Sequence, residues 1–158
     1  RKESQIKIIF KNILIALNKL IKKGIYHVDM KPENVMVNKK TLEIKLIDFE
    51  DVLYDPIHRS PKCNNCIGTD SYMSPEVYKN RITKLSKEFD VKKSMVYTLA
   101  SLLYCCIESE TPDEKVGERF RFYRSSVPAR NFICKCTGNS PNMRLKFHEL
   151  LNHNYLKI

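Results

Sequence analysis

Residues 27–37 read HVDMKPENVMV, and an acid (Asp29), a cation (Lys31) and a carboxamide (Asn34) crowd together there around Pro32. Proline locks its own φ, so this polar loop is stiffened where those groups stand. Asp48 closes a later run, EIKLID, that pairs back towards the same loop if the two runs form a hairpin. Two carboxylates and a carboxamide oxygen are hard ligands that suit Mg²⁺, which takes one or two carboxylates together with phosphate oxygens. Lys31 adds a mobile positive charge suited to a phosphate. A carboxylate beside such a site can orient a hydroxyl nucleophile. The chemistry that fits this set is phosphoryl transfer. On the loop alone a plainer use stays open, in which Asp29 and Asn34 only cap a turn.

Elements must hold these groups. Residues 4–23 carry Ile6, Ile9, Phe10, Ile13, Leu14, Leu17, Leu20 and Ile21, a helical spacing with a broad apolar face. Lys22, Lys23 and Gly24 form a good C-terminal stop. The runs at 34–38 and 43–48 are short and β-like, with a turn between them, and predict a small hairpin. Residues 49–73 lose all periodicity and are expected to be a long surface loop. Residues 94–107 are apolar all round, which predicts a buried central helix. Residues 112–124 are polar and mixed, and short helices are expected at 128–136 and 145–152. The fold class expected is mainly α with a small β-hairpin, as one domain over 1–158.

The bulk properties exclude little and favour a soluble globular chain. There are 158 residues, 42% hydrophobic and 29% charged, and no apolar run reaches the ~20 residues of a membrane span. The net charge of +10 is spread along the chain without a compact basic run and interleaved aromatics, so no nucleic-acid partner is expected. Of six cysteines, Cys63 and Cys66 form a C-x-x-C and Cys134 and Cys136 a C-x-C. The second pair falls on an expected helix, where positions two apart face roughly opposite ways and cannot share one zinc ion. Cys105 and Cys106 end the apolar helix and read as small core residues. Free thiols in a reducing, intracellular compartment, cytoplasmic or nuclear, are expected. The first residue is Arg1, so a fragment of a longer protein is expected.

Taken in order, YHVDMKPENVMV, IKLIDFE, GTDSYMSPE and SPNMRLKFHELLNHNYL resemble the eukaryotic protein kinase family in its C-terminal lobe. That family's catalytic loop reads H-R-D-x-K-P-x-N, its metal motif D-F-G, and its activation segment ends in A-P-E. The resemblance spans nearly the whole chain and implies an activation segment at 48–76. It implies that Asp29 is the base that orients a substrate hydroxyl and that Lys31 contacts the γ-phosphate. It implies that Asn34 and Asp48 bind Mg²⁺, that Thr69 supports Asp29 and Lys31 as in Ser/Thr-specific members, and that Met36 lies beneath the adenine of ATP. His27 and Phe49 match an internal hydrophobic stack, and Glu76 and Arg144 a buried ion pair.

Three positions depart from the family pattern. Val28 stands where most members have an arginine that receives a phosphorylated activation loop, which leaves Ser60 without an obvious docking cation. Glu50 stands where a glycine tolerant of positive φ is usual. Met95 stands where an aspartate normally accepts hydrogen bonds from the catalytic-loop backbone, with Asp90 and Ser94 as possible substitutes. The Gly-rich loop and strand lysine of the family's N-terminal lobe are not in these residues. The chain is therefore expected to be the C-lobe of a Ser/Thr protein kinase, inactive by itself and completed by an N-lobe of the same protein. The alternative is a pseudokinase-like binding module that docks on another kinase or on its substrate.

Overall fold

The computed structural model describes residues 1–112 and 120–157. Helix α1, Glu3–Ile21, follows the apolar spacing: Ile6, Ile9, Phe10, Ile13, Leu14 and Leu17 are buried along one side. Gly24 then turns the chain with φ +74°, where a Cβ would come within 2.5 Å of the Pro56 backbone. Only glycine meets both the left-handed conformation and that close approach. The Gly24 carbonyl accepts from the Asp55 amide at 2.7 Å. Strand β1 (Ile25–Tyr26) is fixed there against β4 (Leu53–Tyr54).

The expected hairpin is present as β2 (Val35–Val37) and β3 (Ile44–Leu46), antiparallel with Met36 opposite Lys45. Leu42 takes φ +60° in its turn. Residues 49–73 are not one free loop. Besides β4, strand β5 (Lys62–Cys63) pairs with β6 (Phe89–Asp90), and a 3₁₀ turn covers Asp70–Tyr72. Strands of two residues are too short to show a period, so composition alone reads there as loop.

Helix α2 (Pro75–Thr83) ends at Lys84 in the left-handed conformation. Helix α3 (Val91–Glu108) is the buried axis of the molecule, capped by Asp90, whose carboxylate accepts from the Lys93 amide. It packs against α1, α4 (Val127–Cys136) and the 3₁₀ turn at Asp70–Tyr72. Phe10 of α1 and Phe132 of α4 meet edge to face, 5.8 Å between centroids. Such pairs add ~0.5–1.5 kcal/mol beyond area burial. The Glu3 carboxylate joins the start of α1 to the cap of α4, accepting from the Ser126 amide (2.9 Å) and hydroxyl (2.6 Å).

Several expectations need adjusting. The closing helix at 145–152 is a 3₁₀ run, Phe147–Asn152. Cys105 is half-buried and Cys106 exposed, so they are not a core pair; they sit where α3 nears its end and its face reaches solvent. Cys134 is exposed and Cys136 buried, the opposed facing that helical geometry requires. Most of the stretch at 112–124 lies outside the described residues. No described helix is long and apolar enough to cross a membrane.

Candidate active site

The loop between β1 and β2 is built around Asn34. Its side chain is buried, and Nδ2 donates to the Asp29 carbonyl at 2.8 Å. Its own carbonyl accepts from the Ile47 amide at 3.0 Å. The residue before Asp48 is thereby tied to the residue that ends the loop. His27 closes the same bracket: its Nε2 lies 3.0 Å from the Ile47 carbonyl, and its ring meets Phe49 at 5.1 Å. The hairpin thus returns Asp48 to the loop, as the sequence spacing requires. Asp48 is exposed and holds φ +61°, a conformation that costs a non-glycine residue and clusters at functional sites.

Asp29, Lys31 and Thr69 form a closed triangle. The Thr69 hydroxyl donates to Asp29 Oδ1 at 2.8 Å and accepts from Lys31 Nζ at 3.0 Å. Lys31 Nζ also stands 3.2 Å from Asp29 Oδ2. Thr69 comes from forty residues downstream, so the triangle exists only once segment 48–76 has folded back. Met36 is 58% exposed on β2, an open apolar platform beside the loop.

Two guanidinium groups hold that segment. Arg144 makes paired 2.7 Å bonds to both carboxylate oxygens of Glu76, with its guanidinium 5.0 Å from the Tyr97 ring centre. It also donates to the Gly138 and Lys93 carbonyls. Its side chain is fully buried, so every one of these bonds replaces lost water. Arg81, on α2, donates to the carbonyls of Cys66 (2.8 Å) and Gly68 (3.1 Å) and pairs with Asp70. It grips the backbone just before Thr69 and the Asp70 side chain just after it. Sequence reasoning missed it, because one arginine on a short polar helix has no spacing signature.

The three departures take definite forms. Val28 lines a small apolar cavity with Leu53, Met73, Phe89 and Val91, so apolar packing lies beneath the segment at the position of the usual arginine. Glu50 is exposed and does not take positive φ, so nothing there demands glycine. Met95 is buried. Neither suggested substitute is directed to the catalytic loop: Asp90 caps α3, and the Ser94 hydroxyl bonds that of Ser74 at 2.9 Å.

A carboxylate held by a hydroxyl, a lysine at its other oxygen, and two further oxygen-bearing side chains at the hairpin are a donor set that could take a hard cation with phosphate oxygens beside a hydroxyl. The family model for the protein kinase domain matches residues 1–156. The chain belongs to the protein kinase family. It is 30% identical to mouse sperm motility kinase 2B, over 96% of this chain and 32% of that protein. It is 31% identical to a probable serine/threonine-protein kinase of Dictyostelium discoideum, over 98% of this chain and 24% of that protein. With human mitogen-activated protein kinase kinase kinase 4 the identity is 27%, over 99% of this chain and 10% of that protein. The chain thus spans a third or less of the length of these curated relatives, and the mainly α fold with small antiparallel sheets agrees with the family's C-terminal lobe.

Proposed function

We propose that residues 1–158 form the C-terminal lobe of a Ser/Thr protein kinase that transfers the γ-phosphate of ATP to a protein hydroxyl. The observation that carries this reading is the closed triangle of Asp29, Lys31 and Thr69. In it, Asp29 accepts and orients the substrate hydroxyl, with Thr69 fixing one carboxylate oxygen. Lys31 holds positive charge where the transferred phosphate would lie. Catalysis of this kind is positioning and electrostatics, which is what rigid side-chain networks supply.

The residues present fit Mg-ATP. Asn34 commits Nδ2 to the Asp29 carbonyl, which turns its Oδ1, the end a hard cation would use, the other way. Asp48 offers an exposed carboxylate from the adjoining strand end. Asn34 and Asp48 would hold Mg²⁺, and Met36 would support the adenine. When bound, Mg²⁺ offsets the charge that develops between the phosphates. The resemblance implies a second lobe from the same protein to complete the ATP clamp.

A second reading, a pseudokinase-like module that docks on a partner kinase or on its substrate, is favoured by one observation: Met95 is buried where the family has an acceptor aspartate. Nucleotide binding and phosphate transfer by the complete protein, with Asp29→Asn as control, separate the two. Transfer lost in Asp29→Asn supports the kinase. A wild-type protein that binds no Mg-ATP supports the docking module.

A further inference from the structure

The C-x-x-C of residues 63–66 has no part in the chemistry above, yet it stands three residues before Thr69. Both thiols are half-buried, neither sealed in the core nor loose at the surface. Cys63 ends β5, fixed opposite Phe89. The Asn65 amide donates to Cys63 Sγ at 3.3 Å, so the thiol folds back over the turn that leads to Cys66. Asn65 tightens that turn, its carbonyl accepting from the Ile67 amide at 3.0 Å. The Cys66 carbonyl is one of the two that Arg81 grips. Among the described residues no cluster of three or more His, Cys, Asp or Glu side chains could hold a metal, so the pair has no further ligands for zinc. The remaining thiols differ: Cys136 is buried, which pushes its thiol far up in pKa and makes it inert. Cys105 accepts from the Tyr72 hydroxyl; Cys106 and Cys134 lie on exposed residues, yet burial of the sulfur pushes both thiols up, Cys106 to about 11.

We propose that Cys63 and Cys66 are an oxidative modification site that closes to a disulfide under peroxide. One thiol takes an oxygen from hydrogen peroxide, becomes a sulfenic acid and releases one water. The second sulfur then displaces that oxygen as another water, and the S–S bond forms. Two electrons and two protons leave the dithiol and reduce the peroxide O–O bond. A disulfide requires Cα atoms about 4.4–6.8 Å apart with a defined dihedral. Closing that bond reshapes the turn whose Cys66 carbonyl Arg81 grips. Thr69 follows on the same short stretch, so its bond to Asp29 is disturbed. The effect on turnover rests on the kinase reading; the thiol chemistry does not.

The test treats the reduced chain with equimolar peroxide, blocks free thiols with N-ethylmaleimide, and maps peptides by mass spectrometry. The peptide carrying residues 63 and 66 is expected to escape alkylation and to be lighter by two hydrogens. A dithiol reductant reverses this, and Cys63→Ser or Cys66→Ser abolishes it. Amide exchange at residues 67–72 is expected to rise on oxidation in the wild type and to stay unchanged in Cys66→Ser. In the complete kinase, oxidation should lower turnover roughly 10²-fold, reversibly, as a misplaced positioning group does. Oxidation of Cys63 and Cys66 no faster than of Cys106 and Cys134, or without a bond between them, overturns the site. A disulfide that leaves exchange at 67–72 unchanged overturns the coupling. A disulfide with altered exchange in a protein that transfers no phosphate counts against the kinase reading alone.

Discussion

Thr69 makes one geometry out of two neighbouring charges. Its hydroxyl fixes Asp29 Oδ1 and Lys31 Nζ together, so the pair that already stands at 3.2 Å is held in one orientation. If the proposed kinase function holds, Thr69→Ala in the full-length protein should lower turnover roughly 10²-fold, while Thr69→Ser, which keeps the hydroxyl, should retain most of it. Steady-state kinetics with a Ser/Thr peptide measure this, and equal loss in both variants would count against a role for the hydroxyl. At this scale much was legible. The side-chain types at 29, 31, 34 and 48 point to phosphoryl transfer from the sequence alone. Arg81 was not legible, because two of its partners are backbone carbonyls, which carry no residue identity, and its pairing with Asp70 has no helical or strand spacing to mark it.

Among the elements, the ion pair of Glu76 and Arg144 joins the start of α2 to the 3₁₀ region after α4. Arg144→Ala leaves the half-buried Glu76 carboxylate without its donors and should destabilise the fold by about 3 kcal/mol. Urea unfolding measures that loss, and a midpoint equal to wild type would contradict it. Exchanging both partners for apolar residues of similar size should cost much less, because no charge is then left unpaired. Apolar period made α1 and α3 readable, and turn composition made the β2–β3 hairpin readable. Strands β4 and β5 escaped, since two residues carry no alternation; β4 pairs with β1 beside the close approach at Gly24, and β5 pairs with β6. The same lesson covers Cys106: an apolar run predicts a buried helix, not where its end emerges.

The whole molecule depends on α3 being joined back to α4 through Glu108. This buried carboxylate accepts from the amides of Tyr123, Arg124 and Ser125 and from the Ser125 hydroxyl. Burial alone would raise its pKa, but those hydrogen bonds outweigh it and hold the carboxyl below its ordinary value. A depressed carboxylate stabilises the fold above its unfolded pKa of about 4.3, and that contribution disappears as pH falls through the lower folded value. Thermal stability should therefore hold above about pH 5 and fall in stronger acid. Glu108→Gln should flatten that acid limb, and should cost ~1–3 kcal/mol at neutral pH because one donor then meets an amide N–H. An unchanged acid limb in Glu108→Gln would contradict this.

At the same scale, the loop before β2, the β2–β3 hairpin and the folded-back segment are tied together through Asn34, His27 and Thr69, with Met36 and Asp48 exposed. On the proposed function, phosphate transfer at this site runs through Asp29. The direct measurement is transfer of labelled γ-phosphate from Mg-ATP to a Ser/Thr protein substrate by the complete protein, wild type against Asp29→Asn. The expected result is a roughly 10²–10⁴-fold fall in turnover with nucleotide binding retained. Turnover in Asp29→Asn equal to wild type would contradict it.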